Sequence, residues 1–246
     1  MGEENKKEEK KTEQEKDVAS RVSEAVSQID TDELKKNATG YWNWLVTSWK
    51  NPTEVQMTGR YAGIVSLALE SLFLIVGIGR YINSVVNAAV SSVSSVFGGS
   101  SYSSSGMGFG FYLTGFIVFI CASLVMVGIA YLFHGHEEGG FLAFTNRVAH
   151  YSNVILIADV LFILFGFIVA SSPSVALLAM LLLASSWLEW NVALVFAAQN
   201  ERRLNKVYSG TLLMIANIIV LFITFLVLGS IAGDKLQDVM QSFTGN

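Results

Sequence analysis

The sequence is poor in the residues that build most soluble active sites and cross-links. Of 246 residues, one is cysteine (Cys121) and two are proline (Pro52 and Pro173). A lone cysteine inside an apolar run excludes a disulfide framework and a cysteine-based metal site. Charged residues make up only 15% of the chain, and no Lys or Arg occupies the middle of a long apolar run. No apolar run opens before residue 50, so no secretory signal peptide is expected. Met1-Gly2-Glu3-Glu4-Asn5-Lys6 lacks the hydroxyl residue of a myristoylation site. The glycines of 98–110 are not followed by Lys-Ser/Thr, which excludes a phosphate loop. HExxH, a serine-nucleophile elbow and paired soluble carboxylates are missing too. No enzyme activity, cofactor or nucleic-acid partner is therefore expected.

What the chain has instead is apolar length. Hydrophobic residues make up 52% of it. Tyr151 to Ala198 reads as two apolar arms joined by Ser-Ser-Pro-Ser. Each arm is about 20 residues, enough at ~1.5 Å per residue to cross a hydrocarbon core of roughly 30 Å. Similar runs predict five transmembrane helices over about 58–80, 111–133, 151–171, 175–198 and 210–232. The expected fold is all-α, a polytopic integral membrane protein with amphipathic helices before the first span.

Outside the spans the composition changes. Residues 1–17 carry both charges and almost nothing apolar, and are expected to form a disordered tail. Residues 18–57 form a cytoplasmic or interfacial segment in which Val18, Val22, Val26 and Ile29 recur at helical spacing. Tyr41, Trp42, Trp44 and Trp49 follow, a set that suits the headgroup zone of a bilayer or, alternatively, a protein partner. Asn51-Pro52-Thr53-Glu54 predicts the start of the helix that becomes the first span. Residues 81–110 form a Ser/Gly-rich loop outside the membrane, with one uncharged amphipathic stretch from Ile82 to Val96. Residues 233–246 form a tail with a short amphipathic helix.

All of the 16 Lys and Arg residues except Arg80 and Lys235 fall on one side of this layout. Positive charge marks the cytoplasmic side, so the N-terminus is expected inside and the C-terminus outside.

Three acids lie within spans: Glu70, Asp159 and Glu189. Counted from the cytoplasmic ends, Asp159 and Glu189 lie roughly 12–13 Å deep and Asn217 roughly 10 Å. These three can meet in one layer, and with Glu70 they form a candidate intramembrane polar site. One reading makes it a proton or cation site; the other makes it hydrogen-bond glue between helices. Gly59, Gly63, Ser66, Glu70 and Gly77 share a face that admits close approach of another helix. His134, His136 and Glu137 could ligate a metal, but their spacing fits no defined motif among flexible glycines.

Tyr41-Trp42-Asn43-Trp44-Leu45 and Lys50-Asn51-Pro52-Thr53, followed by five spans, resemble a group of uncharacterised Gram-positive bacterial membrane proteins. Many members carry a zinc ribbon on the tail. The layout is also similar to that of Yip-type proteins. The zinc-ribbon cysteines are missing here, so the resemblance implies a bacterial plasma-membrane location and no catalytic residues. The expected function is that of a non-enzymatic scaffold or regulator, in contact with the lipid bilayer and with protein partners or a second copy. The alternative is a small proton- or cation-coupled transporter using Glu70, Asp159 and Glu189.

Overall fold

A computed structural model of the chain describes residues 31–52, 54, 59–97, 107–134, 139–168, 172–198 and 205–244. The expected tail and first amphipathic helix (1–30), most of the Gly/Ser loop (98–106), residues 135–138 and the basic loop 199–204 lie outside the described residues.

The described residues are all-helical, with seven helices. These are α1 Thr31–Lys50, α2 Ala62–Phe97, α3 Phe109–His134, α4 Gly140–Ser152, α5 Ile155–Ile168, α6 Pro173–Phe196 and α7 Lys206–Thr244. The chain divides between Asn43 and Trp44 into two compact units. The first unit contributes only the N-terminal part of α1 to the described residues, and Lys35 to Gly40 there are exposed. The second unit holds everything else.

Four helices are long and apolar enough to cross a membrane, over Ala62–Ala88, Phe109–His134, Ser174–Phe196 and Val207–Ser230. Helices α4 and α5 pass the same test as a pair, bent by 53° at their junction. The outward faces are what such a role requires. Leu177, Leu181 and Leu188 on α6 are exposed, as are Ile215, Ile219, Phe222 and Leu226 on α7. Apolar surface this continuous suits hydrocarbon and not water.

Local sequence accounts for several helix ends. Ser172 caps α6, its hydroxyl accepting from the Ser174 N–H at 3.2 Å, and Pro173 occupies the first turn, where its missing N–H costs nothing. Gly139 and Gly140 enter α4 with φ of 85° and 74°, a left-handed backbone that favours glycine. Three boundaries differ from the sequence expectation. Asn51, Pro52, Glu54 and residues 59–61 form turns and bends, and the helix begins at Ala62. Helix α2 does not stop at Arg80 but runs on to Phe97, a 36-residue helix that absorbs the stretch expected as a separate surface helix. Helix α7 likewise continues through Gly233 to Thr244 as one 39-residue helix, in place of a span and a separate tail helix. In both cases the apolar run ends, but no proline follows to stop the backbone.

The helices close into a ring. Helix α2 packs on α5, α5 on α6, α6 on α7, α7 on α3, and α3 back on α2. Helix α4 packs against α2, α6 and α3. The small-residue face of α2 is where α4 and α5 dock. A Cβ on Gly63 would lie 2.7 Å from the backbone of Thr145 and Asn146, and one on Gly77 would collide with the Phe162 ring. Gly59 meets nothing within 4 Å. Two apolar clusters border the interior of the ring. Leu67, Phe144, Val148, Ala197 and Leu213 gather around α4, and Ile75, Phe111, Phe119 and Leu228 gather where α2, α3 and α7 meet.

Candidate functional site

A half-open cavity of about 550 Å³ is lined by all five helices of the ring. Its walls are mostly apolar and aromatic. Its polar groups are few: chiefly Glu70 and Ser71 from α2, Asp159 from α5, Ser186 and Trp187 from α6, and Asn217 from α7. A mostly apolar cavity with a few convergent polar groups is the usual form of a small-molecule site.

Glu70 is buried and accepts a hydrogen bond from Ser152 Oγ at 2.9 Å. It lies close enough to Asp159 for the two carboxyl groups to interact electrostatically. Asp159 is buried, and its Oδ2 has no hydrogen-bond partner among the described residues. The same holds for Asn217 Nδ2 and for Trp187 Nε1. Buried polar atoms are nearly always paired, so three unpaired ones around one cavity need a physical explanation. All three are shielded from the cavity as they stand, so a group bound there reaches them only through a side-chain rotation.

Three of the four sequence candidates therefore meet at this cavity: Glu70, Asp159 and Asn217. Glu189 does not. It is half-buried on α6 and is not among the lining residues, whereas Ser186, Trp187 and Trp190 are. Depth along a helix sets the layer but not the direction in which a side chain leaves the axis. Glu189 shares the layer and points elsewhere on α6.

The site has a second part that the sequence did not reveal. Helices α4 and α5 break at Asn153 and Val154, next to Ser152 and so to Glu70. The break is held by a buried polar tie. Asn153 Nδ2 donates to Ser48 Oγ at 2.8 Å, and its Oδ1 accepts from Ser66 Oγ at 2.7 Å. Its carbonyl accepts from Trp49 Nε1 at 2.8 Å, while its N–H closes α4 on the Ala149 carbonyl at 2.8 Å. Next to it, Asn146 Oδ1 accepts from the Gly63 N–H at 2.7 Å and Arg147 Nε donates to the Ala197 carbonyl at 2.9 Å. The latter bond puts a cation at the C-terminal end of α6, where the helix dipole favours it. Discontinuous helices are where membrane proteins commonly place substrate and ion sites, because non-helical backbone is tolerated there when protein groups satisfy it.

The aromatic residues read as interface anchors separate into two groups. Trp44 is buried and its ring lies 5.9 Å from His150, and Trp49 is committed to Asn153. These two are turned into the protein, where their burial and hydrogen bonding hold more than a lipid surface would. Trp42 is exposed and Tyr41 is half-buried.

Of the metal candidates, His134 is buried beside the Phe144 ring, and His136 and Glu137 lie outside the described residues. Among the described residues no group of three His, Cys, Asp or Glu side chains could hold a metal ion.

The model of a protein family described as "Domain of unknown function (DUF6574)" matches residues 31–238. No curated protein and no solved structure matches the chain.

Proposed function

Starting from a chain that belongs to the DUF6574 family, we propose that it is a small proton- or cation-coupled transporter of the bacterial plasma membrane. The observation that carries this reading is the convergence of Glu70 and Asp159 on one cavity beside a broken helix. In this reading the bent α4–α5 pair is a fifth span. Arg60, Arg147 and Lys206 lie at the cytoplasmic end of the bundle and Arg80 at the other, with the N-terminus inside and the C-terminus outside.

The cavity gives the two acids a chemical task. A charge placed in low-dielectric surroundings needs a counter-charge, and among the described residues no Lys or Arg lines this cavity. Protons or a cation fill that role interchangeably. One proton leaves for each positive charge taken up, and the reverse exchange on the other side releases the cargo. The two apolar clusters that border the cavity are the barriers, one of which must loosen for each half of the cycle. The α4–α5 break is placed to let this happen, because a backbone already interrupted can swing without breaking a run of helical hydrogen bonds.

A pH-gradient-driven flux assay on the purified protein in liposomes tests the proposal, using Na⁺, K⁺ and an organic cation in turn. Wild type should dissipate the gradient with at least one of these, and the Glu70→Gln/Asp159→Asn double variant should not. Amides preserve size and hydrogen-bonding capacity, so a folded but inactive double variant separates charge from structure.

A scaffold or regulator reading is kept alive by one observation: Trp42 and the polar stretch Lys35–Gly40 of α1 are exposed. Capture of a protein partner that requires α1, with no flux from wild type under any of the three cations, would replace the transporter reading with this one.

A further inference from the structure

The cavity is too large and too aromatic for a bare metal cation. Alkali and alkaline-earth ions are bound by several oxygens arranged closely around them. Here about 550 Å³ is shared by two carboxyl groups, and much of the wall is aromatic: Tyr81, Phe119, Phe162, Trp187, Trp190 and Phe225. That volume falls within the roughly 300–1,000 Å³ of pockets that take drug-sized molecules. Aromatic faces attract a delocalised or alkylated cation within about 6 Å of the ring centroid, and they do so best when water is excluded. Acids with no Lys or Arg among the described residues of the wall reject anions.

From this we propose that the ligand of the cavity is a drug-sized lipophilic organic cation, an alkylated or aryl-substituted amine or onium. Its charge sits between Glu70 and Asp159 and its apolar groups lie against the aromatic wall. The proposal rests on the site reading above and deepens it by naming the cargo class. Asn217, whose amide nitrogen has no partner, contributes a rotatable amide that can turn its oxygen to the charge. Trp187 lines the cavity together with Asn217 and Asp159, and its indole is the aromatic group assigned to both halves of such a molecule.

The test is equilibrium dialysis of the full chain in detergent against two probes of nearly the same shape and opposite charge, tetraphenylphosphonium and tetraphenylborate. Micelle partition is subtracted with detergent alone. We expect saturable binding of the phosphonium at one site per chain, with at least about tenfold weaker binding of the borate. Glu70→Gln/Asp159→Asn should lower phosphonium affinity by at least about tenfold while eluting as the folded species. Trp187→Ala should lower it several-fold, and Glu189→Gln should leave it unchanged.

Equal binding of both probes, or phosphonium binding indifferent to the double amide, would overturn the proposal. That comparison of charge sign needs no variant, so it survives any failure of the double amide to fold. The two readings can also fail separately. Alkali-cation flux without phosphonium binding would retain the transporter and refute the organic cation. Phosphonium binding that depends on the acids, with no flux, would retain the ligand class and refute transport.

Discussion

Replacing Asn153 by alanine tests whether the helix break is held by its polar tie. Asn153 is fully buried, and its side chain makes two hydrogen bonds to hydroxyls on other helices, Ser48 on α1 and Ser66 on α2. Each such bond has a net worth of about 1 kcal/mol in a folded protein. Between membrane helices the average is nearer 0.6 kcal/mol. Two bonds therefore contribute about 1–2 kcal/mol. Alanine also leaves a void where the amide stood, and the Ser66 hydroxyl loses its acceptor, Asn153 Oδ1. Ser48 is less affected, because its hydroxyl already donates to the Leu45 carbonyl at 2.6 Å. The expected loss is about 2–3 kcal/mol. The bond from Trp49 reaches the backbone carbonyl and should survive the substitution. Reversible unfolding by SDS titration of the detergent-solubilised protein, followed by tryptophan fluorescence, measures the change. A cycle with Ser66→Ala should return a coupling of about 0.5–1.5 kcal/mol. A loss below about 0.5 kcal/mol, or a coupling near zero, would refute the claim that this tie sets the bend.

Other outcomes follow from the same geometry. Gly63→Ala should destabilise the protein by about 1–3 kcal/mol or more, because the new methyl would lie 2.7–2.8 Å from backbone atoms of Thr145 and Asn146, which cannot rotate away. Gly128→Ala, with open space around it, is the neutral control in the same titration. Glu189→Gln should leave flux and folding unchanged, whereas Asp159→Asn alone should reduce flux, since of these two acids Asp159 lines the cavity and Glu189 does not. In a Cys121-free background, cysteines at Ser103 and Gly245 should react in intact cells with an impermeant thiol reagent, and one at Asn205 should not. Labelling of Asn205 would reverse the proposed orientation.

Several features were legible in the sequence because they depend on chemistry local to the chain. Apolar runs gave helices, Ser-Ser-Pro-Ser marked the link between two of them, and the small residues of α2 marked a docking face. What was not legible depends on partners far along the chain. Arg80 was read as the end of a span because charge leaves hydrocarbon at low cost only near an interface. The helix continues past it because its stem can lie along apolar surface, and its guanidinium sits 4.7 Å from the centre of the Phe167 ring. The break at Asn153 carries neither proline nor glycine. Its cause is tertiary: the amide is claimed by Ser48 and Ser66, residues 105 and 87 positions away along the chain, and no periodicity in 151–171 reports them. The aromatic stretch shows a third kind of ambiguity. Helical spacing puts Trp42, Leu45 and Trp49 on one stripe, but a stripe facing lipid and one facing protein look alike until a partner such as Asn153 is in view.

The break and the acids are close enough in structure that they cannot respond independently. Ser152, the last residue of α4, donates to Glu70, while Asp159 stands on α5 just over one helical turn after its first residue, Ile155. One acid is thus tied to the element before the break and the other rides on the element after it. Any change in the bend alters the separation of the two carboxyl groups, and with it the cost of holding a cation between them. Linkage makes the relation reciprocal: a ligand that prefers one bend angle must stabilise it, and a substitution that loosens the bend must change the affinity for that ligand. Asn153→Ala should therefore shift phosphonium binding although Asn153 does not line the cavity. Glu189→Gln, on a helix that does line it, should not. The affinity of Asn153→Ala, measured by the same dialysis well below its unfolding midpoint, decides the matter. An affinity equal to that of wild type would show that the bend is a fixed structural feature, and the broken helix would then have no part in the working of the site.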